Sequence, residues 1–387
     1  NTCEKDAVIF TNGDNDTFPL WYLQEVEGIR RDVRIINLSL LNTHWYIKQL
    51  QTHEPKIDIG NLNERSIDRL SVIPWKAQTI EIDPPKNTDI EPLTWKLEPT
   101  IAGRGLRVQD LMILQILQHN EWKRPIYFAV TVSSDNMLGL EKYLQMEGLG
   151  WRLHPEQVKS RIDAERMRHN ILNVYRYRNL DNPDVYFNPN IQKLIGNYRS
   201  SFFQLAINQL TSQKYKEAME TIEAMETFMP EEVLPISNER VYLQLGILYH
   251  QAQKRAGLIA DASEEVEGEK GKPLGLLERL ETLMKKAENE GDINSMAEYA
   301  GIYISELDMP EKAAAVLENL ELENPREPKV LVYLIQAYEQ LEEYEKAVDL
   351  LNRWLEDNPG DKTAQNMRDK YMSLMKTTSA DTAESDE

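Results

Sequence analysis

Cysteine is nearly missing. Cys3 is the one thiol in 387 residues, so neither an internal disulfide nor a thiolate metal cluster can form. Long apolar runs are missing too: no stretch approaches the ~18 residues of a membrane-spanning helix. The six histidines, His44, His53, His119, His154, His169 and His250, show no H-x-x-H or H-E-x-x-H spacing, which leaves a histidine metal site or a triad without support. G-x-S-x-G is absent, and with it the nucleophile elbow of a serine hydrolase. Positive charge is in deficit, with 44 Lys and Arg against 64 Asp and Glu. A net charge of −20 argues against nucleic acid and against adhesion to anionic lipid. No signal peptide is visible. The chain opens on Asn1 rather than Met, as expected of a processed or excised piece of something longer.

What is present divides into two unlike halves. An apolar content of 41% supports a real core, and the length suits two or three domains. Residues 1–190 carry 23 basic and 26 acidic side chains, so most of the acidity lies beyond them. Tryptophan is distributed the other way: Trp21, Trp45, Trp75, Trp95, Trp122 and Trp151 precede only Trp354.

The N-terminal half is organised around Asp6–Trp21. An apolar run, Ala7–Phe10, breaks at Gly13 into Asp14-Asn15-Asp16, and a helical segment, Phe18–Val26, follows. Val33–Leu38 reads as a strand buried on both faces, and Asn42-Thr43 as the cap of a helix through Leu50. This β-α-β-α order predicts a parallel, Rossmann-like sheet. Residues 51–100 are irregular apart from the alternating Gln78–Ile82. Val108–His119 reads as a helix, Pro125–Val132 as a third buried strand and Asn136–Met146 as another helix. The α/β domain is therefore placed at 1–155. A helical connector follows at 156–190, with a helix over Glu156–Tyr177.

From about Tyr198 the pattern is all helical and periodic. Ala347 and Pro359 follow Ala313 and Pro325 at a spacing of 34, the tetratricopeptide period. Ala206, Ala218 and Pro230 form another unit. Gly246 and Tyr249 begin one whose second helix is displaced, which puts an insertion near 255–275, within the acidic Asp261–Lys272. The reading is an all-α solenoid at 191–376 with a disordered acidic tail at 377–387.

Several residues are candidates for chemistry. Asp14 and Asp16, in D-x-D form at a strand end, could chelate a divalent cation that neutralises a diphosphate. They could equally satisfy N–H groups at a helix start, with Asp16 as a cap. Arg104 and Arg107, in Ala102–Arg107, could hold a phosphate or carboxylate before a helix, or be solvated arginines of a turn. Trp21, Trp45, Trp122 and Trp151 could stack on sugar rings or fill the core. No cofactor is expected beyond that possible divalent cation.

Three stretches, Thr11–Ile47, Leu114–Val132 and Leu140–Pro155, resemble the C-terminal region of large membrane proteins of glycosyltransferase family 117. These are similar to protein O-mannosyltransferases and abundant in Bacteroidetes. The resemblance implies an N-terminal multi-span domain of GT-C type, outside this chain, that uses lipid-phosphate-linked sugar and carries the catalytic acid. It also implies C-terminal tetratricopeptide repeats. This chain would then be the extracytoplasmic part, on the periplasmic side of the inner membrane. Its partners would be its own membrane domain, an acceptor polypeptide or glycan, and a peptide or protein on the concave face of the repeats, without nucleic acid. Asp14, Asn15, Asp16 and Trp21, with Arg104 and Arg107, are the expected substrate-facing residues; no catalytic residue carries over. Two other readings stand beside it. One is a non-catalytic scaffold, and the other is an autonomous transferase using nucleotide sugar and metal at Asp14/Asp16.

Overall fold

The computed structural model describes residues 1–259 and 272–384. They form two compact units: Asn1–Gln213 with Phe228–Leu234, and Lys214–Thr227 with the residues from Pro235 onward.

The first unit is an α/β layer. In chain order come β1 (Val8–Thr11), α1 (Asp14–Glu25), β2 (Arg34–Asn37), α2 (His44–Thr52) and the single turn α3 (Glu64–Ile67). Then β3 (Ile73–Pro74), β4 (Gln78–Ile82), β5 (Leu93–Leu97) and β6 (Gly105–Leu106) make two small antiparallel ladders, β3 with β6 and β4 with β5. After α4 (Val108–Asn120) come β7 (Ile126–Ala129), β8 (Leu144–Met146) and β9 (Gly150–Leu153). The main sheet has the order β2-β1-β7-β9-β8. Every residue of β1, β2 and β7 is buried, as parallel strands covered on both faces must be.

The β-α-β reading holds for β2-β1-β7, which pair in parallel. The far half of the sheet differs: β9 runs antiparallel to both β7 and β8, so the sheet is mixed. The helix expected over Asn136–Met146 does not form. Leu138 and Gly139 both take positive φ, which breaks a helix there, and Leu144 and Met146 alternate into β8 instead. The helix expected over Glu156–Tyr177 shrinks to α5 (Ala164–His169), capped by the Asp163 carboxylate on the Arg166 N–H, and a π-helical turn, Asn170–Val174. Before it the chain is irregular and bent, with Ile162 bridged to Met146. The connector thus belongs to the first compact unit, which also takes in α6 (Pro189–Thr211).

The N-terminal segment is tied into this unit. Arg30 grips Asp32 through two bonds of 2.9 and 3.0 Å and donates to the carbonyls of Cys3 and Glu4. The Arg30 guanidinium holds the Asp32 carboxyl well below the usual carboxylate range. A depressed carboxyl stabilises the fold above its unfolded value of about 3.9, and that contribution is lost as pH falls towards the folded value. Asp32→Asn is therefore expected to lower stability more at pH 7 than at pH 3; urea melts at the two pH values check this. Burial pushes the Cys3 thiol up to about 11, which keeps it protonated and unreactive.

The second unit holds α7 (Tyr215–Phe228) but for its last residue, then α8 (Glu239–Arg255), α9 (Leu276–Glu290), α10 (Ile293–Ser305), α11 (Pro310–Glu323), α12 (Pro328–Gln340), α13 (Tyr344–Asp357) and α14 (Lys362–Glu384). From α8 onward each helix packs on the next, and α10 also packs on α12, the stacking of a repeat array. The small residues lie where helices approach. A Cβ on Gly246 would meet Arg279 at 2.7 Å, and one on Gly301 would meet the Tyr333 ring at 2.5 Å. Ala313 and Ala347 are fully buried. Most of the expected insertion near 255–275 falls outside the described residues. The tail expected to lose order from Thr377 is helical as far as Glu384, and its last three residues are not described. No helix among the described residues is long and apolar enough to cross a membrane.

Candidate functional site

β1, β2 and β7 end side by side, and open α/β sheets bind ligands outside such carboxyl ends. The polar residues after β1 form the first turn of α1 rather than a free loop: the helix starts at Asp14, four residues before the expected Phe18. Asp16 is the third helical residue and reaches back. Its carboxylate accepts the N–H groups of Asn12 at 2.8 Å and Gly13 at 2.9 Å, and the Thr131 hydroxyl beyond β7. Asp14 and Asn15 project into solvent and make no side-chain hydrogen bond or ion pair with any described residue. The two carboxylates of the D-x-D thus do different things. Asp16→Ala is expected to cost about 1–2 kcal/mol through the lost cap, whereas Asp14→Ala leaves stability unchanged; paired urea titrations check both.

Behind this turn, Asn37 at the end of β2 donates to Thr17 at 2.9 Å and accepts from the Leu40 N–H at 2.9 Å. A relay of amides then crosses the strand ends. The Asn136 amide donates to Asn12 at 3.3 Å, Gln109 to Asn136 at 3.1 Å, and Asn42 to Gln109 at 2.8 Å. The relay ties the turns after β1, β2 and β7 to the start of α4. Sequence reading missed these amides. The available signals were a polar Asn37 ending an apolar strand and a polar Gln109-Asp110 pair opening a helix that is otherwise buried.

The two arginines part company. Arg107 folds onto the fully buried Asp110 through bonds of 2.9 and 3.0 Å and touches the Asp135 carbonyl at 3.3 Å. It borders the edge with its charge already paired. Arg104 lies on an exposed turn between β5 and β6; its peptide carbonyl accepts the Trp75 N–H, and its side chain is not brought to the others.

Aromatic rings flank the edge. Phe18 stacks on Trp21 at 5.6 Å, Trp21 lies 6.3 Å from Tyr46, and Tyr46 meets Trp45 edge-on at 5.6 Å. Phe18 is 49% exposed, Tyr22 55% and Trp45 59%. The other two sugar-stacking candidates serve the fold: the Trp122 indole N–H donates to the Asp83 carbonyl, and Trp151 lies under the Arg161 guanidinium.

A second cluster, wholly unsignalled by the sequence, is closed. Glu147 is 1% exposed. It is met by Arg166 at 2.8 Å, Arg152 at 3.4 Å and the Tyr127 hydroxyl at 2.9 Å, while Arg152 and Arg166 also pair with Glu4. Burial pushes the Glu147 carboxyl up against the pull of these guanidiniums. The interlocked set ties β7, β9 and α5 to the N-terminal segment. No group of three or more His, Cys, Asp or Glu among the described residues is placed to hold a metal ion.

Residues 1–59 and 67–171 match the TMEM260-associated domain 2. The match takes in β1 to α2 and β3 to α5, together with the amide relay and the aromatic rings, and stops short of α6. Residues 306–371 match the tetratricopeptide repeat. The phosphoglucosamine mutase of Sinorhizobium medicae is 30% identical over 139 residues, 36% of this chain. The chain spans only 25% of that relative's length. No solved structure is similar to the chain. The TMEM260-associated domain covers Thr11–Ile47, Leu114–Val132 and Leu140–Pro155, the region that holds the polar edge.

Proposed function

We propose that this chain is the extracytoplasmic portion of a GT-C-type protein O-glycosyltransferase and that its α/β unit presents the acceptor, polypeptide or glycan, at the strand-end edge. The carrying observation is the TMEM260-associated domain over residues 1–59 and 67–171, joined in one chain to tetratricopeptide repeats. Sugar transfer itself belongs to a membrane domain using lipid-linked donor, and the chain works on the periplasmic side. The edge geometry favours this over an autonomous metal-dependent transferase, because Asp16 is committed to the helix cap and only Asp14 of the D-x-D is left to project. The test uses the longer membrane protein that contains this chain. The triple variant Asp14→Ala/Asn15→Ala/Trp21→Ala is expected to raise KM for acceptor about tenfold with kcat little changed. Unchanged kinetics in a folded variant refute the role of the edge.

The repeats support a second reading, a scaffold that recruits partners. The helices α8, α10, α12 and α14 carry the surface such arrays use. There Lys329 pairs with Glu298, and Lys370 with Glu339 at 2.6 Å, from one helix to the next, beside Val332, which is exposed. Loss of partner capture in Val332→Glu, with transfer intact, would assign recruitment to the repeats.

A further inference from the structure

Asn12 is followed by Gly13, and the chain contains no other Asn-Gly pair. In this dipeptide an asparagine side chain reacts most readily with its own backbone, because glycine sets no Cβ beside the attacking nitrogen and leaves the chain free to turn. Asn12 is exposed, and a Cβ placed on Gly13 would meet nothing within 4 Å, so water has access to the pair. The reaction balances without an oxidant or reductant. The Gly13 nitrogen gives up its proton and bonds to Asn12 Cγ. The Cγ–Nδ2 bond breaks, and the amide nitrogen leaves as ammonia with that proton, which closes a succinimide. Water then opens the ring. Cleavage on the side-chain carbonyl gives aspartate; cleavage on the main-chain carbonyl gives isoaspartate.

The fold opposes the first step. The peptide group between Asn12 and Gly13 is held at both ends. Its oxygen accepts the Ser39 hydroxyl at 2.9 Å, and its N–H donates to Asp16 Oδ1 at 2.9 Å. The other Asp16 oxygen takes the Asn12 N–H at 2.8 Å, so one carboxylate fixes the peptide groups on both sides of Asn12. The Asn12 side-chain oxygen accepts the Asn136 amide at 3.3 Å, and the Gly13 carbonyl accepts the Thr17 N–H at 3.1 Å. A succinimide nitrogen carries no hydrogen. Ring closure must therefore surrender the bond to Asp16 and leave that carboxylate facing a bare imide. Charge opposes it as well: attack passes through a deprotonated Gly13 nitrogen, and that anion would form against the carboxylate it now donates to.

We infer that Asn12 is a latent deamidation site, kept closed in the folded chain by the Asp16 carboxylate and the Ser39 hydroxyl and converted when the turn opens. Loss of ammonia makes the conversion irreversible. Aspartate at this position puts a third carboxylate beside Asp14 and Asp16 at the strand-end edge. Isoaspartate also lengthens the main chain by one carbon just before α1 and displaces the N–H groups that Asp16 accepts. A single opening thus leaves a permanent mark on the edge. The inference stands apart from the acceptor-presenting reading and does not depend on it.

The test incubates the chain at neutral pH and maps the peptide holding Asn12 by mass spectrometry, for the gain of about 1 Da and for isoaspartate. Conversion in the folded chain is expected to be at least about tenfold slower than in the same chain held in urea. Asp16→Ala, which removes both carboxylate bonds, should raise the folded rate about tenfold, and Ser39→Ala should raise it less. In urea all the chains should convert alike. Asp32→Asn, which weakens the fold away from this turn, is the control and should leave the Asn12 rate unchanged. Equal rates in the folded and the urea-held chain overturn the inference. So do Asp16→Ala and Ser39→Ala chains that convert at the unsubstituted rate. Conversion in Asp32→Asn as fast as in Asp16→Ala also overturns it, by tracing the reaction to global unfolding rather than to the turn.

Discussion

Gly148→Ala is expected to destabilise the first compact unit by about 3–5 kcal/mol, as much as losing a large core side chain. Gly148 joins β8 to β9 with φ at +117°, a backbone region that side-chain-bearing residues rarely adopt. A Cβ there would lie 2.2 Å from the Tyr175 hydroxyl. That hydroxyl cannot step aside cheaply. It bonds to the Thr2 hydroxyl at 2.6 Å and accepts the Leu149 N–H at 2.9 Å. The substitution therefore strains the turn and also breaks the contact that ties the N-terminus to the hairpin. Tyr175→Phe alone should cost about 1 kcal/mol. In the Gly148→Ala background it removes the obstructing oxygen, so the double variant should lose less than the sum of the singles. A double-mutant cycle by urea denaturation measures this; strict additivity would show that backbone strain carries the whole effect.

Glu147→Ala should cost about 2–4 kcal/mol, because it removes the buried carboxylate on which Arg152, Arg166 and the Tyr127 hydroxyl converge. Both guanidiniums would keep Glu4, but the Tyr127 hydroxyl, fully enclosed, would lose the carboxylate it donates to. The exposed Lys86–Glu121 pair is the control: Glu121→Ala should leave the urea midpoint unmoved, since exposed pairs contribute little. The two substitutions separate an ion pair that holds elements together from one that decorates a surface. A small loss in Glu147→Ala would mean that water or a rotated Glu4 takes over the guanidiniums.

How far the sequence led depends on the range of the interaction. The strands β1, β2 and β7 were legible because burial on both faces writes an unbroken apolar run into the chain. The helix pairs of the repeats were legible because the 34-residue period restates the same close approach at Ala313 and Ala347. The hairpin β8–β9 was not. Leu140, Leu144 and Met146 fit a helical face as well as a strand, and what decides is a pair of positive φ angles at Leu138 and Gly139, which composition does not reveal. At the site, the strand-end position of Asp14–Asp16 was readable from the break at Gly13. The capping role of Asp16 was readable as well, since the Asn12 and Gly13 N–H groups it accepts lie four and three residues away; its bond from Thr131, more than a hundred residues on, was not. The amide relay was hidden for the same reason: each of its links joins residues distant in sequence, and single asparagines carry no periodic signal.

The reach of Asp16 back over Asn12 and Gly13 has a consequence for what this edge can hold. The first N–H groups of a helix, with the positive end of its dipole, attract phosphate in many nucleotide-binding sheets. Here the chain supplies its own anion: the Asp16 carboxylate occupies the Asn12 and Gly13 N–H groups leading into the helix before any ligand arrives. A phosphorylated molecule approaching the helix start would meet this carboxylate and that of Asp14 together. Two carboxylates at the strand-end edge thus weigh against a phosphorylated ligand there and leave an uncharged ligand unopposed.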